Sequence, residues 1–194
     1  ANPGFDAVIS EIFVSLFAGA TLRVVAVPDK FLVPKIIKKK KKSIIDLITM
    51  TPSVVKSIPR DAILKVKTLI LAGEAATEEL VAPLIGKIRI INAFGPCETT
   101  VCSHMHDINS SSQVMCIGKP LPHVYARVVD SSDQSLKETD SGELWIYGDS
   151  VGYGYLGLDD NSFGYDNALQ MRLYKTKDRV KMVENNILYF LGRN

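Results

Sequence analysis

The order of apolar runs predicts an α/β fold: a parallel-type sheet flanked by helices, followed by a smaller, mostly β, barrel-like region. Three observations carry this. As far as about residue 107, β-branched and aliphatic runs alternate with segments of helical period, and strands separated by helices imply parallel crossovers. Beyond residue 107 the helical period disappears, and short apolar runs are separated by glycine and polar turns. Between the two textures, an apolar run stops at Gly95-Pro96, and a lone carboxylate, Glu98, follows among small polar residues. Ligands of such sheets gather at the carboxyl ends of the strands, so the loops after these runs are where a site is expected.

Taken in order, residues 5–18 place Ile9, Ile12, Phe13, Leu16 and Phe17 at helical spacing, with Asp6 at the start, where a carboxylate suits the helix dipole. Gly19 ends that helix. Residues 21–27 are β-branched enough for a strand, stopped by Pro28. Residues 31–42 read as a second helix whose lysine run, 38–42, lies at the negative end of the helix dipole. Residues 43–50 form an apolar strand candidate, and Thr51-Pro52-Ser53 opens a short helix with proline at an early position. Residues 66–72 are another apolar run turned by Gly73-Glu74, and Thr77-Glu78-Glu79 caps a helix expected to reach about Ile85. The strand 88–94 follows. These loops bring Ser53, Gly73, Glu74 and residues 94–98 to one sheet edge. In the β-rich part, Ser110-Ser111-Ser112 is a loop, and runs 124–129 and 143–147 suggest a hairpin.

With 46% hydrophobic and 23% charged residues among 194, the chain can bury a sizeable core, organised as an α/β part over 1–107 and a β-rich part over 108–194. A net charge of +2 argues for no polyanion partner, so nucleic acid is not expected. Cys97, Cys102 and Cys116 are an odd set without a disulfide framework, which fits a reducing cytoplasm. No run approaches the roughly 18 apolar residues of a membrane span. The start, Ala1-Asn2-Pro3-Gly4, has no signal-peptide character and no initiating Met, as in a fragment or processed chain.

The stretch around Glu98 carries the chemistry. A hard carboxylate oxygen there suits Mg²⁺ on a phosphate, and Phe94 offers a ring face to a base. Asn92-Ala93-Phe94-Gly95-Pro96-Cys97-Glu98-Thr99-Thr100 resembles the Asn-Ala-Tyr-Gly-Pro-Thr-Glu-Thr-Thr core motif of nonribosomal peptide synthetase adenylation domains, within the adenylate-forming superfamily. Its Gly-Pro is similar to the peptide-synthetase branch, whereas acyl-CoA ligases usually have Gly-Leu. Phe94 and Cys97 depart from the motif's Tyr and Thr.

Further motifs follow the same order. Phe5-Asp6-Ala7 with Glu11-Ile12-Phe13 resembles the helix opening the amino-acid pocket, and Leu69-Ile70-Leu71-Ala72-Gly73-Glu74 resembles the strand and turn beside the adenine. Gly142-Glu143-Leu144 with Gly154-Tyr155-Leu156, then Tyr174-Lys175-Thr176-Lys177-Asp178, then Phe190-Leu191-Gly192-Arg193 resemble the family's later motifs, the last preceding its hinge. Lys177 stands where the family has glycine.

The resemblance implies an enzyme that joins ATP and an α-amino acid into an aminoacyl-adenylate with release of pyrophosphate, then passes the acyl group to a carrier-protein thiol. It implies ATP and Mg²⁺ as cofactors. Phosphopantetheine on a peptidyl carrier protein and a condensation domain of the same assembly line are the implied partners. Nucleotide contacts would come from Gly73, Glu74, Asn92, Ala93, Phe94, Gly95, Cys97, Asp178 and Arg193, with Glu98 on the metal and Asp178 holding the ribose hydroxyls through its carboxylate. Asp6 would receive the substrate ammonium. The pocket walls would be Ala7, Ser10, Ser53, Ile70, Ala72, Ala93, Val101 and Cys102; small walls leave volume for an aromatic or bulky side chain such as tyrosine. The resemblance stops short of the family's phosphate loop and of its C-terminal subdomain with the adenylating lysine, so the 194 residues are expected to turn over slowly or not at all alone.

Three rival readings remain. The lysine run would serve a basic binding module. Departures at Cys97, Lys177 and residues 161–171 would suit a degenerate adenylation domain kept as a scaffold. If 101–106 is a strand, Cys102, His104 and His106 share one face and could bind zinc, although the spacing fits neither usual zinc pairing.

Overall fold

The computed structural model describes residues 4–24, 45–132, 134–135 and 140–193; the expected helix over 31–42, with its lysine run, lies outside them. The chain divides into two compact units, residues 1–93 with 107–114, and residues 94–106 with 115–194.

In the first unit, helix α1 (Ala7–Phe17) starts directly after Asp6, whose side chain makes no capping bond. None of its residues is buried, and Phe17 is 85% exposed. Of the strand expected over 21–27, residues 21–24 carry no regular structure, and 25–27 lie outside the described residues. β-Branched composition favours a pleated surface only where a neighbouring strand completes the ladder, and none pairs with them among the described residues.

Strand β1 (Ile45–Met50) leads through Thr51 into α2 (Pro52–Lys56). The Thr51 hydroxyl accepts the Val54 N–H at 3.4 Å, and proline at the helix start gives up a donor that has no partner there anyway. Helix α3 (Arg60–Ile63) precedes β2 (Val66–Ala72), and α4 (Glu78–Val81) precedes β3 (Arg89–Phe94). Strands β1, β2 and β3 pair in parallel, as the crossovers require, with Ile48 opposite Leu69 and Ile70 opposite Ile91.

The helix expected to run to Ile85 is only four residues long, and Thr77 does not cap it with its side chain. Pro83 explains the length, because it has no N–H for the carbonyl of Glu79. Residues 107–114 return to this unit: the Ile108 N–H donates to the Ile90 carbonyl at 2.8 Å, and Arg89 grips Asp107 through Nε at 2.6 Å and Nη2 at 2.9 Å.

The second unit is antiparallel throughout its described pairs. Its strands are β4 (His104–Asp107, of which Asp107 counts with the first unit), β5 (Cys116–Pro120), β6 (Tyr125–Val129), β7 (Ser141–Tyr147), β8 (Phe163–Asp166), β9 (Met171–Val183) and β10 (Ile187–Arg193). They follow the order β4-β5-β10-β9-β7-β6, with β8 on β9. The expected hairpin is β6–β7, with Tyr125 opposite Tyr147 and Val129 opposite Glu143. Ile117, Val128, Leu144, Ile146, Val180 and Leu188 form one core cluster, against which Phe94 and Phe190 pack. Trp145, Tyr147, Leu173 and Val129 form a second cluster. Successive residues of β7 thus enter different clusters, as its period of two dictates.

Candidate functional site

The candidate residues divide between the units. In the first, Ile70, Ala72 and Ala93 share the half-buried side of the sheet, since Leu69, Leu71, Ile90 and Asn92 occupy the buried side. Ala72 and Ala93 are register partners, so three expected pocket walls do adjoin. Ser53 and Glu74 are joined: the Ser53 N–H at 3.0 Å and its hydroxyl at 2.5 Å both donate to Glu74 Oε2. That hydroxyl is the chief cause holding Glu74 below the usual carboxylate range. Gly73, directly before it, has φ +81°, a conformation glycine adopts without strain.

The Ser10 hydroxyl donates to the Ala7 carbonyl at 2.8 Å, back into its own helix. Asn92 is buried and donates from Nδ2 to the Val114 carbonyl at 3.4 Å, a structural bond. Asp6 is the outlier: its Oδ2 is buried without a hydrogen-bond partner among the described residues. A carboxylate oxygen out of water without a donor is costly unless something brings one.

In the second unit, strand register fixes the main pair. Glu143 lies opposite Arg179 and Trp145 opposite Lys175, so Thr176, Lys177 and Asp178 bulge against Leu144 alone. Lys177 takes φ +61° within that bulge, the conformation a glycine would hold there. The bulge is pinned by three bonds: Thr176 Oγ1 to the Leu144 carbonyl at 2.8 Å, the Asp178 N–H to Thr176 Oγ1 at 3.0 Å, and the Lys177 N–H to Glu143 Oε1 at 3.0 Å. On the other side of β9 a second irregularity, at Leu191, puts Arg193 opposite Asp178, with Nε 3.9 Å from Oδ1. Burial raises the pKa of Asp178, and Arg193 acts against it.

The turn around Glu98 belongs to this unit. Gly95 has no room for a side chain: a Cβ there would lie 2.6 Å from Cys102 Cα and 2.7 Å from the Val101 carbonyl oxygen. A 3-10 turn (Cys97–Thr99) follows, then Thr100 and Val101 both adopt positive φ, of 62° and 69°. Such a conformation is costly for a β-branched residue and collects at functional loops. The Phe94 ring packs 6.0 Å from His104 and 5.9 Å from Phe190. Cys97, Glu98, Thr100, Gly152, Gly154, Tyr155 and Phe163 line a cavity of about 260 Å³.

Sequence reasoning assigned no role to Tyr155, whose hydroxyl donates to Glu98 Oε1 across a separation of 57 residues. That bond is the main cause keeping the phenol proton on. No local period signals such a contact.

The zinc arrangement does not form. Strand β4 covers only the end of residues 101–106, and among the described residues no group of three or more His, Cys, Asp or Glu could hold a metal ion. Cys102 donates to the Phe94 and His104 carbonyls at 3.6 and 3.2 Å, and burial pushes its thiol up to about 11, away from the thiolate a metal needs. No helix among the described residues is long and apolar enough to cross a membrane.

The sequence profile of the AMP-binding enzyme family matches residues 1–156. Among curated relatives, gramicidin S synthase 1 of Brevibacillus brevis is 31% identical over 203 residues, covering 100% of this chain and 18% of its own. Novobiocin biosynthesis protein H of Streptomyces niveus is 30% identical over 201 residues, covering 100% of this chain and 33% of its own. The chain therefore spans a third or less of these relatives. Among solved structures, an artificially fused adenylation-PCP di-domain NRPS, NpsA-ThdA from Klebsiella oxytoca, superposes with a TM-score of 0.84 at 23% identity, covering 100% of this chain and 38% of that one. At that identity the likeness speaks for the fold, and the profile speaks for the family. By the profile, the chain belongs to the AMP-binding enzyme family.

Proposed function

We propose that this chain supplies the amino-acid and nucleotide contacts of an ATP-dependent adenylation that joins an α-amino acid to AMP and releases pyrophosphate. The aminoacyl group would then pass from the adenylate to a thiol on the phosphopantetheine arm of a carrier protein, releasing AMP, with a condensation domain of the same assembly line as a further partner. The observation that carries the amino-acid reading is the buried Oδ2 of Asp6, which has no hydrogen-bond partner among the described residues. An ammonium would satisfy that oxygen through a charge-assisted bond, which a carboxylic acid lacking the amine could not supply.

The side-chain pocket is assigned to Ala7, Ser10, Ser53, Ile70, Ala72, Ala93, Val101 and Cys102, small residues that leave space for tyrosine or another bulky group. The Ser10 and Ser53 hydroxyls already donate within the chain, so either would meet a substrate hydroxyl as an acceptor. The nucleotide is assigned to Gly73, Glu74, Asn92, Ala93, Phe94, Gly95, Cys97, Asp178 and Arg193. Asp178, set by its bulge, would accept the ribose diol, with Arg193 opposite it working against the upward push of burial on its pKa.

Glu98 fits a magnesium ion, because a hard carboxylate oxygen is what that ion takes from a protein when phosphates and water complete its shell. Bound there, magnesium would offset charge on the ATP phosphates. Lys177 holds the left-handed backbone despite its side chain, so the turn presenting Asp178 is kept, which favours a working site over a scaffold.

Calorimetric titration with Mg-ATP and with a non-hydrolysable tyrosyl-adenylate mimic tests this. Asp6→Ala should weaken the mimic by roughly 10-fold to 100-fold, as loss of a hydrogen bond to a charged group does, and leave Mg-ATP binding unchanged. Equal affinity of both proteins for the mimic removes the amino-acid reading.

A further inference from the structure

The segment after β7 has no part in the assignment above, yet it is laced to the Glu98 turn at three points. The Gly152 N–H donates to the Glu98 carbonyl at 2.8 Å, Thr100 Oγ1 donates to the Ser150 carbonyl at 2.7 Å, and the Tyr155 hydroxyl donates to Glu98 Oε1. We propose that Tyr155 is a positioning residue for Glu98: it holds one carboxylate oxygen so that the other is presented to the divalent cation accompanying the nucleotide. This rests on the reading that Glu98 takes that cation.

The segment is built to hold the phenol still. Arg172 clamps its root, from Nε to the Val151 carbonyl and from Nη2 to the Asp149 carbonyl, both at 2.8 Å. Gly154 has φ +123° with nothing within 4 Å of a built Cβ, so glycine serves the backbone path there and not a tight fit. That path delivers Tyr155 edge-on to Phe163 at 5.3 Å and 89°, and Phe163 rests on Tyr174 at 4.9 Å. The phenol is therefore set by a rigid aromatic stack and not by the bond to Glu98 alone.

A carboxylate has two oxygens and about four acceptor positions, so one phenol hydroxyl leaves a face for a cation. A glutamate without such a partner would spread over several rotamers, and the cation would have to order it. Partners of ligand side chains, when removed, commonly cost metal affinity without touching the metal.

The test uses the complete protein and compares ATP binding with and without Mg²⁺ for the unsubstituted chain, Tyr155→Phe and Glu98→Gln, with Mn²⁺ and electron paramagnetic resonance as a direct count of bound metal. Glu98→Gln should abolish most of the metal-dependent gain. Tyr155→Phe keeps the ring stack, so it should leave metal-free ATP affinity within about twofold while the metal-dependent gain and Mn²⁺ affinity fall by about 10-fold or more. An unchanged gain in Tyr155→Phe, beside a lost gain in Glu98→Gln, overturns the positioning role and leaves the metal assignment standing. So does a Tyr155→Phe loss that is equal with and without metal, which would mark a structural role only. No effect of Glu98→Gln, or no binding of Mg-ATP by the unsubstituted protein, overturns both.

Discussion

The two units hold their candidate residues by different means. In the first, the parallel sheet leaves its side chains at loop ends, and Glu74 is held by side-chain bonds from another loop, chiefly those of Ser53. In the second, Asp178 is fixed by antiparallel register on both flanks, with Leu144 on one side and Arg193 on the other. Parallel crossovers gather residues from distant loops and leave their aim to side-chain bonds. Antiparallel pairing aims a side chain by where a bulge falls. The first arrangement adapts to a ligand, and the second is prepared before it arrives.

The largest effect expected from this contrast is on stability. Ile146 is fully buried in the antiparallel core, and Ile146→Ala should cost about 2–5 kcal/mol in denaturant unfolding. Phe17→Ala, on the exposed face of α1, should cost less than about 0.5 kcal/mol. Similar losses would break the contrast.

The next effect depends on pH. Burial lowers His104 to about 4, from an ordinary 6.5. As pH falls the unfolded chain takes the proton first, so this contribution to stability is complete above about 6.5 and fades toward 4, by up to about 3 kcal/mol. Urea unfolding across that range should show the slope, and His104→Gln should flatten it.

The smallest expected effect concerns the bulge. Lys177→Gly should raise stability by up to about 1 kcal/mol by relieving the left-handed strain at φ +61°, seen as a melting temperature a few degrees higher. A loss instead would mean that the lysine side chain contributes more than its backbone costs.

Much of the fold was legible in local pattern. Residues 66–72 form β2 at the expected bounds, and Thr51-Pro52 opens α2 as turn chemistry predicts. Where pattern failed, a specific competitor won: Pro83 cut α4 short. Of the strand expected over 21–27, residues 21–24 had no described strand to pair with, and 25–27 lie outside the described residues. Lys177 was legible as a departure, and its positive φ explains why glycine would suit that position. Ser53 and Glu74 were legible as neighbours at one sheet edge but not as a bonded pair, and Tyr155 with Glu98 was not legible at all. They meet through topology across long separations, and no spacing rule reaches that far.

The crossing at Gly95 has one more consequence. The Phe94 carbonyl accepts the Ser103 N–H at 2.9 Å, while Gly95 passes against the backbone of Cys102, so the eight residues between Phe94 and Ser103 form an eyelet whose neck is closed by the main chain. Such a neck makes the eyelet a cassette. Proteolytic nicking or a change of length among its outer residues leaves both posts in place, whereas any side chain added at Gly95 pries the posts apart.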